Sequence, residues 1–129
     1  MKKTVFALAL LCCALVTVSG CSSVEVATGF HGMAPVVADA TGVAHLHSKI
    51  PGLYFFNLPV ITGAVSNPRA VSFFKDNASV SAAFSQMNVA ASDLGAKGVV
   101  NASSEVTSYP VFLFFFWWRV AEVSGTAVR

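Results

Sequence analysis

His45 and His47 are the first residues to consider for chemistry, because they stand two apart in the stretch Val43-Ala44-His45-Leu46-His47-Ser48-Lys49-Ile50. On a strand, that spacing sends both imidazoles to one side of the sheet. With His31 or Asp39 they make a candidate set of three metal ligands, which defines a ligand- or metal-binding alternative for the whole protein. The competing reading is a pair of histidines on a solvent-facing strand, and no second His or Cys cluster supports the metal. The serines lack a Gly-x-Ser-x-Gly elbow, and no Ser, His and Asp grouping stands out. The acidic residues Glu25, Asp39, Asp76, Asp93, Glu105 and Glu122 contain no pair marked out for acid–base work, and phosphate-cradling glycine loops are absent. A non-enzymatic role is therefore expected, with no cofactor.

The other chemically distinctive residue is Cys21. Lys2 and Lys3 precede the apolar run of residues 5–18, which is short for a spanning helix of about 20 residues and has the layout of a signal peptide. The run closes on Val18-Ser19-Gly20-Cys21. That tetrapeptide resembles the lipobox of bacterial lipoproteins, an aliphatic and two small residues before a cysteine. The resemblance implies cleavage between Gly20 and Cys21, a diacylglycerol thioether on Cys21, and acylation of the new amino terminus. Ser22 stands where an aspartate would imply inner-membrane retention, so the outer membrane, facing the periplasm, is the expected location.

Removal of residues 1–20 from 129 leaves 109, enough for one compact domain. The hydrophobic fraction of 55% and mean hydropathy of +0.69 are inflated by the leader, and so do not make the mature chain a membrane protein. Cleavage also removes Lys2 and Lys3, leaving six basic and six acidic residues. Such a neutral domain has no basic patch able to hold nucleic acid. Cys12 and Cys13 leave with the leader and Cys21 carries lipid, so no disulfide can form within the mature chain.

Residues 21–42, with Ser22, Ser23, Gly29, Gly32, Pro35 and Gly42, read as a lipidated tether holding at most a short strand at Val24-Glu25-Val26. Fully flexible, it would reach about 25 Å. Residues 43–129 read as a single domain. Residues 43–50 alternate like a half-buried strand that Pro51-Gly52 should end. Val80, Phe84, Met87, Ala91 and Leu94 recur at helical spacing, predicting an amphipathic helix from about Ala78 to Leu94. Asp76 or Asn77 would cap its start and left-handed Gly95 its end. Residues 97–107 and 118–128 read as further strands. The expected fold is α+β, with one amphipathic helix packed on a small sheet of three or four strands.

Ala90-Ala91-Ser92-Asp93-Leu94-Gly95-Ala96-Lys97-Gly98-Val99-Val100, with Ser124-Gly125-Thr126-Ala127, resembles the helix-to-strand core of small α+β envelope lipoproteins such as the stress sensor of the Rcs phosphorelay. The resemblance covers about the last fifty residues and implies a fold and a sensor-like role. The disulfides that staple that sensor cannot exist here.

The aromatic segments Leu53–Ile61 and Tyr109–Trp118 carry no charge. Either they form fully buried strands, or they form an exposed apolar surface with Arg119 snorkelling beside it. If the strands at 43–50 and 97–107 run parallel, both chains leave the sheet at one end and the two segments meet in a single apolar pole. Antiparallel strands would separate them. The expected function is a membrane-anchored interaction or sensor module that meets an envelope protein partner through Phe55, Phe56, Phe114, Phe115, Trp117 and Trp118.

Overall fold

The computed structural model describes residues 22–28, 40–112 and 114–129. Gly20, Cys21, His31, Asp39, the leader and residues 29–39 of the expected tether lie outside the described residues. The elements are β1 (Ser23–Ala27), β2 (Gly42–Phe55), β3 (Leu58–Gly63), β4 (Val71–Phe73), α1 (Val80–Asp93), β5 (Gly98–Phe112) and β6 (Phe116–Val128). Every strand pairing is antiparallel, and the sheet runs β4-β3-β2-β6-β5 with β1 also on β2. β6 pairs along one side of β2, so β1 and β3 share its other side end to end, against residues 45–49 and 52–55.

This corrects the expected α+β fold. With 58% of the described residues in strands and 15% in helix, the domain is largely an antiparallel β-sheet of six strands carrying one helix. Part of the difference lies at Pro51-Gly52, which does not end the strand but sits inside β2. Pro51 falls where β1 has finished and β3 has not begun, so that edge has no ladder bond for its missing N–H to break. A Cβ on Gly52 would stand 2.9 Å from Thr62 Cγ2 and 2.9 Å from the Tyr54 ring. Glycine thus lets β3 and Tyr54 close on the strand. The short β4 adds the sixth strand through its pairing with β3.

Alternation along β2 sends Ala44, Leu46, Ser48, Ile50 and Tyr54 to one face, where all are buried. α1 covers this face, packing on β2, β6 and β5. Its buried residues are Ala83, Gln86, Met87 and Ala91, with Val80, Phe84 and Leu94 half-buried at the margins. Burial of Met87, which is fully buried, contributes about 1.5–3 kcal/mol. The helix N-cap is Ser79, whose Oγ accepts from the Ala82 N–H at 3.4 Å, in place of the expected Asp76 or Asn77. Both of those side chains have tertiary partners: Asp76 accepts from the Tyr54 hydroxyl, and Asn77 Nδ2 donates to the Gly63 carbonyl at 3.1 Å. Gly95 takes the left-handed conformation expected of it, with φ +70°.

The beginning of the expected tether belongs to this fold. Ser22 is buried, its Oγ donates to the Ala64 carbonyl at 2.6 Å and accepts from Gln86 Nε2 at 3.1 Å. Gln86 Oε1 in turn accepts from Ser48 Oγ at 2.9 Å. The Ser22 carbonyl accepts from the Arg69 N–H at 3.1 Å. A polar chain of three buried side chains therefore fastens the residue that follows Cys21 to the helix and the sheet.

Candidate functional site

β2 and β5 are each antiparallel to β6, which lies between them, so they run in the same direction. Both end where β6 begins, and the two aromatic segments emerge together at that end. Phe55 pairs with Phe116 across β2 and β6, with ring centroids 5.3 Å apart. Phe55 and Phe56 meet edge to face at 4.9 Å, and Phe56 and Phe115 at 5.4 Å. The Phe56 N–H donates to the Phe115 carbonyl at 2.7 Å, tying the β2–β3 turn to the β5–β6 hairpin. Edge-to-face pairs of this kind contribute about 0.5–1.5 kcal/mol each beyond their buried area. They make the tip one body.

Register extends this surface over the face of the sheet that α1 leaves open. Phe73 stands opposite Ile61, Ile61 opposite Leu53, Leu53 opposite Trp118, and Trp118 opposite Tyr109. Directly opposed residues share a face. The result is an apolar row across β4, β3, β2, β6 and β5, two residues behind the tip. Leu58, opposite Phe55, and Phe74, whose N–H donates to the Val60 carbonyl at 3.3 Å, widen the tip along the β3–β4 edge. Leu58, Phe73, Phe74, Tyr109, Val111 and Phe115 are all exposed.

Three phenylalanines of this surface have left-handed backbone: Phe56 (φ 52°), Phe74 (φ 54°) and Phe114 (φ 61°). They are 51%, 80% and 79% exposed. The left-handed conformation costs a residue with a side chain about 1–2 kcal/mol, a cost glycine avoids. Local folding would place Gly, Asn or Asp at such positions. Here large apolar rings stand there in solvent, and neither burial nor turn chemistry accounts for them.

On the helix side of the tip, Arg119 lies over the Tyr54 ring, its guanidinium carbon 4.7 Å from the centroid. Arg119 is half-buried and lines a cavity of about 190 Å³ with Tyr54, Phe56, Asn57, Ser108 and Trp117. Among the described residues, no carboxylate forms an ion pair with it. Burial, followed by the hydrogen bond to Asp76, pushes the Tyr54 hydroxyl far above the usual tyrosine range. Tyr54 therefore stays neutral and donates to Asp76.

The opposite end of the open face is polar. His45 and His47 share it, as their spacing implies, and His47 Nε2 lies 3.7 Å from Glu122 Oε2. Lys49 Nζ approaches Glu122 Oε1 at 2.9 Å, an exposed pair of a kind worth little in water. A cavity of about 260 Å³ opens beside His47, Glu122 and the Ser103–Ser124 hydroxyl pair, whose oxygens are 2.8 Å apart. Among the described residues, no three His, Cys, Asp or Glu side chains are placed to hold a metal ion.

Of the expected surface residues, the structure gathers Phe55, Phe56, Phe114 and Phe115 at the exposed tip. Trp117 and Trp118 are half-buried on opposite sides of β6, and Trp117 Nε1 donates to the Phe114 carbonyl at 3.1 Å. Sequence reasoning missed Phe73 and Phe74. Their signal was the adjacent aromatic pair itself, which becomes part of the surface only through the pairing of β4 with β3. No family model matches the chain, and no curated protein or solved structure shows significant similarity to it. Among the described residues, no helix is long and apolar enough to cross a membrane.

Proposed function

We propose that the protein is a lipid-anchored, non-enzymatic component of a bacterial envelope that engages another envelope component through its aromatic tip. The observation that carries this reading is the set of exposed phenylalanines held in left-handed turns, Phe56, Phe74 and Phe114. Strain of this kind concentrates where function demands it. Contiguous apolar exposure on a soluble face marks an interaction site. The lipobox-like Val18-Ser19-Gly20-Cys21 supplies the location, and the absence of a catalytic grouping in the sequence supplies the non-enzymatic class.

The test is the pair Phe74→Gly and Phe114→Gly, combined in one chain. Relief of left-handed strain, offset by the greater freedom glycine gives the unfolded chain, should leave stability unchanged or raise it by about 1 kcal/mol. A photocrosslinker placed at Phe115 in cells should lose its adduct in that variant. Unfolding of the variant would show that the rings serve the core and would sink the reading. Incorporation of labelled fatty acid into the wild-type chain, abolished by Cys21→Ala, tests the anchor.

A further inference from the structure

Resting on that reading, we infer that the component met by the tip is the lipid bilayer itself, with the phenylalanines entering the headgroup–acyl boundary and Arg119 taking a headgroup phosphate. The first support is the position of Ser22. Ser22 follows Cys21 directly, and consecutive α-carbons are about 3.8 Å apart. Ser22 is buried and hydrogen-bonded to Ala64 and Gln86, so an anchor on Cys21 has no slack chain between lipid and domain. Because Ser23 pairs with Lys49, Ser22 falls beside Ile50 on the edge of β2. From there to Phe55 the strand advances five residues, roughly 17 Å at about 3.3 Å per residue. Tip and anchor thus reach one surface when the sheet leans onto it.

The second support is the layering of side chains. Phe55, Phe56, Phe114 and Phe115 lead, while Trp118 and Tyr109 follow in the row two residues behind. That offset is about 7 Å, within the depth of roughly 5–10 Å to which interfacial elements sink. Indole and phenol rings favour the headgroup level and purely apolar rings the acyl side. Charge agrees with this order. Leu53–Ile61 and Tyr109–Trp118 contain no acidic residue, and Asp76, the acceptor of the Tyr54 hydroxyl, adjoins Lys75. Beside the tip, Lys75 follows Phe74 directly, and Arg119, with no ion pair to a carboxylate among the described residues, lines a cavity with Asn57 and Ser108. A planar guanidinium with neutral hydrogen-bonding neighbours suits a phosphodiester.

The chain has only two tryptophans, Trp117 and Trp118, and both lie at this end, so their fluorescence reports on the tip. The full lipidated protein is incorporated into vesicles of phosphatidylcholine and phosphatidylglycerol whose acyl chains are brominated near the headgroup. Emission is expected to be lost relative to unbrominated vesicles, because rings at interfacial depth meet the bromines. Phe74→Asp with Phe114→Asp should abolish the quenching with the circular dichroism unchanged. Arg119→Gln should reduce it in phospholipid but not in vesicles of digalactosyldiacylglycerol, which carry no phosphate. Tryptophans left unquenched by bromine and open to aqueous iodide would overturn the inference, as would equal effects of Arg119→Gln in both lipids. If cells at the same time yield a crosslink from Phe115 to a protein, the bilayer inference falls while the reading of the tip as an interaction surface stands.

Discussion

Replacement of Gln86 by leucine tests whether the polar chain Ser48–Gln86–Ser22 holds the amino-terminal end of the domain to its core. All three side chains are buried. In Gln86→Leu, Ser48 Oγ loses its acceptor at 2.9 Å in a site closed to water, which costs about 1–3 kcal/mol. Ser22 Oγ keeps the Ala64 carbonyl at 2.6 Å and loses only the amide donated at 3.1 Å, a loss of about 0.5–1.5 kcal/mol. Leucine returns part of this through apolar burial, so a net loss of about 2 kcal/mol is expected. With a urea slope of about 1–3 kcal/mol/M, the unfolding midpoint should fall by roughly 1 M at unchanged slope. Adding Ser48→Ala removes the orphaned hydroxyl, and the double variant should recover about 1 kcal/mol over the sum of the singles. Amide exchange in β1 should quicken in Gln86→Leu, because Ser22 then holds the strand by fewer bonds. An unchanged midpoint, or strictly additive singles, would refute the role of the chain.

Two further changes probe the same architecture. In Gly63→Ala the new methyl would lie 2.8 Å from Ser22 Cβ and 2.9 Å from its backbone nitrogen; a loss of about 1–3 kcal/mol is expected on urea unfolding, and wild-type stability would show that Ser22 moves freely. Tyr54, whose hydroxyl burial and Asp76 hold above its ordinary value, binds its proton more tightly in the folded chain than in the unfolded one. Both states keep the proton below about pH 10, and above that value only the folded state does, so stability falls as pH rises. Tyr54→Phe should cost about 1 kcal/mol at neutral pH and flatten this alkaline loss, measured as unfolding midpoints from pH 8 to 11; an equally steep loss in the variant would assign it elsewhere.

Periodic features of the domain were legible in its sequence. Alternation from Val43 to Ile50 marked the buried face of β2, and the spacing of Val80, Phe84, Met87, Ala91 and Leu94 marked the packed side of α1. Periodicity reports burial of one face, so it survives without knowledge of the partner. The helix cap was not legible, since Asp76, Asn77 and Ser79 can all accept from a free amide. Tyr54 and Gly63, distant in sequence, hold the first two side chains elsewhere, and Ser79 stands directly before the first helical residue. Pro51-Gly52 misled for a related reason: a strand break and the junction between two edge strands call for the same residues.

The candidate surface divides along the same line. By itself the sequence determined that two uncharged aromatic segments exist, that a lipobox-like Cys21 precedes the domain, and that the segments converge if their strands run the same way. Tertiary structure alone decided that β6 lies between β2 and β5 and so gives them one direction. It also brought Phe73 and Phe74 to the surface through β4, and placed Phe56, Phe74 and Phe114 in left-handed turns. The reason is that exposure and backbone handedness are not properties of a residue type. Phenylalanine carries the signal of a core residue wherever it stands, and only long-range strand pairing determines whether anything covers it.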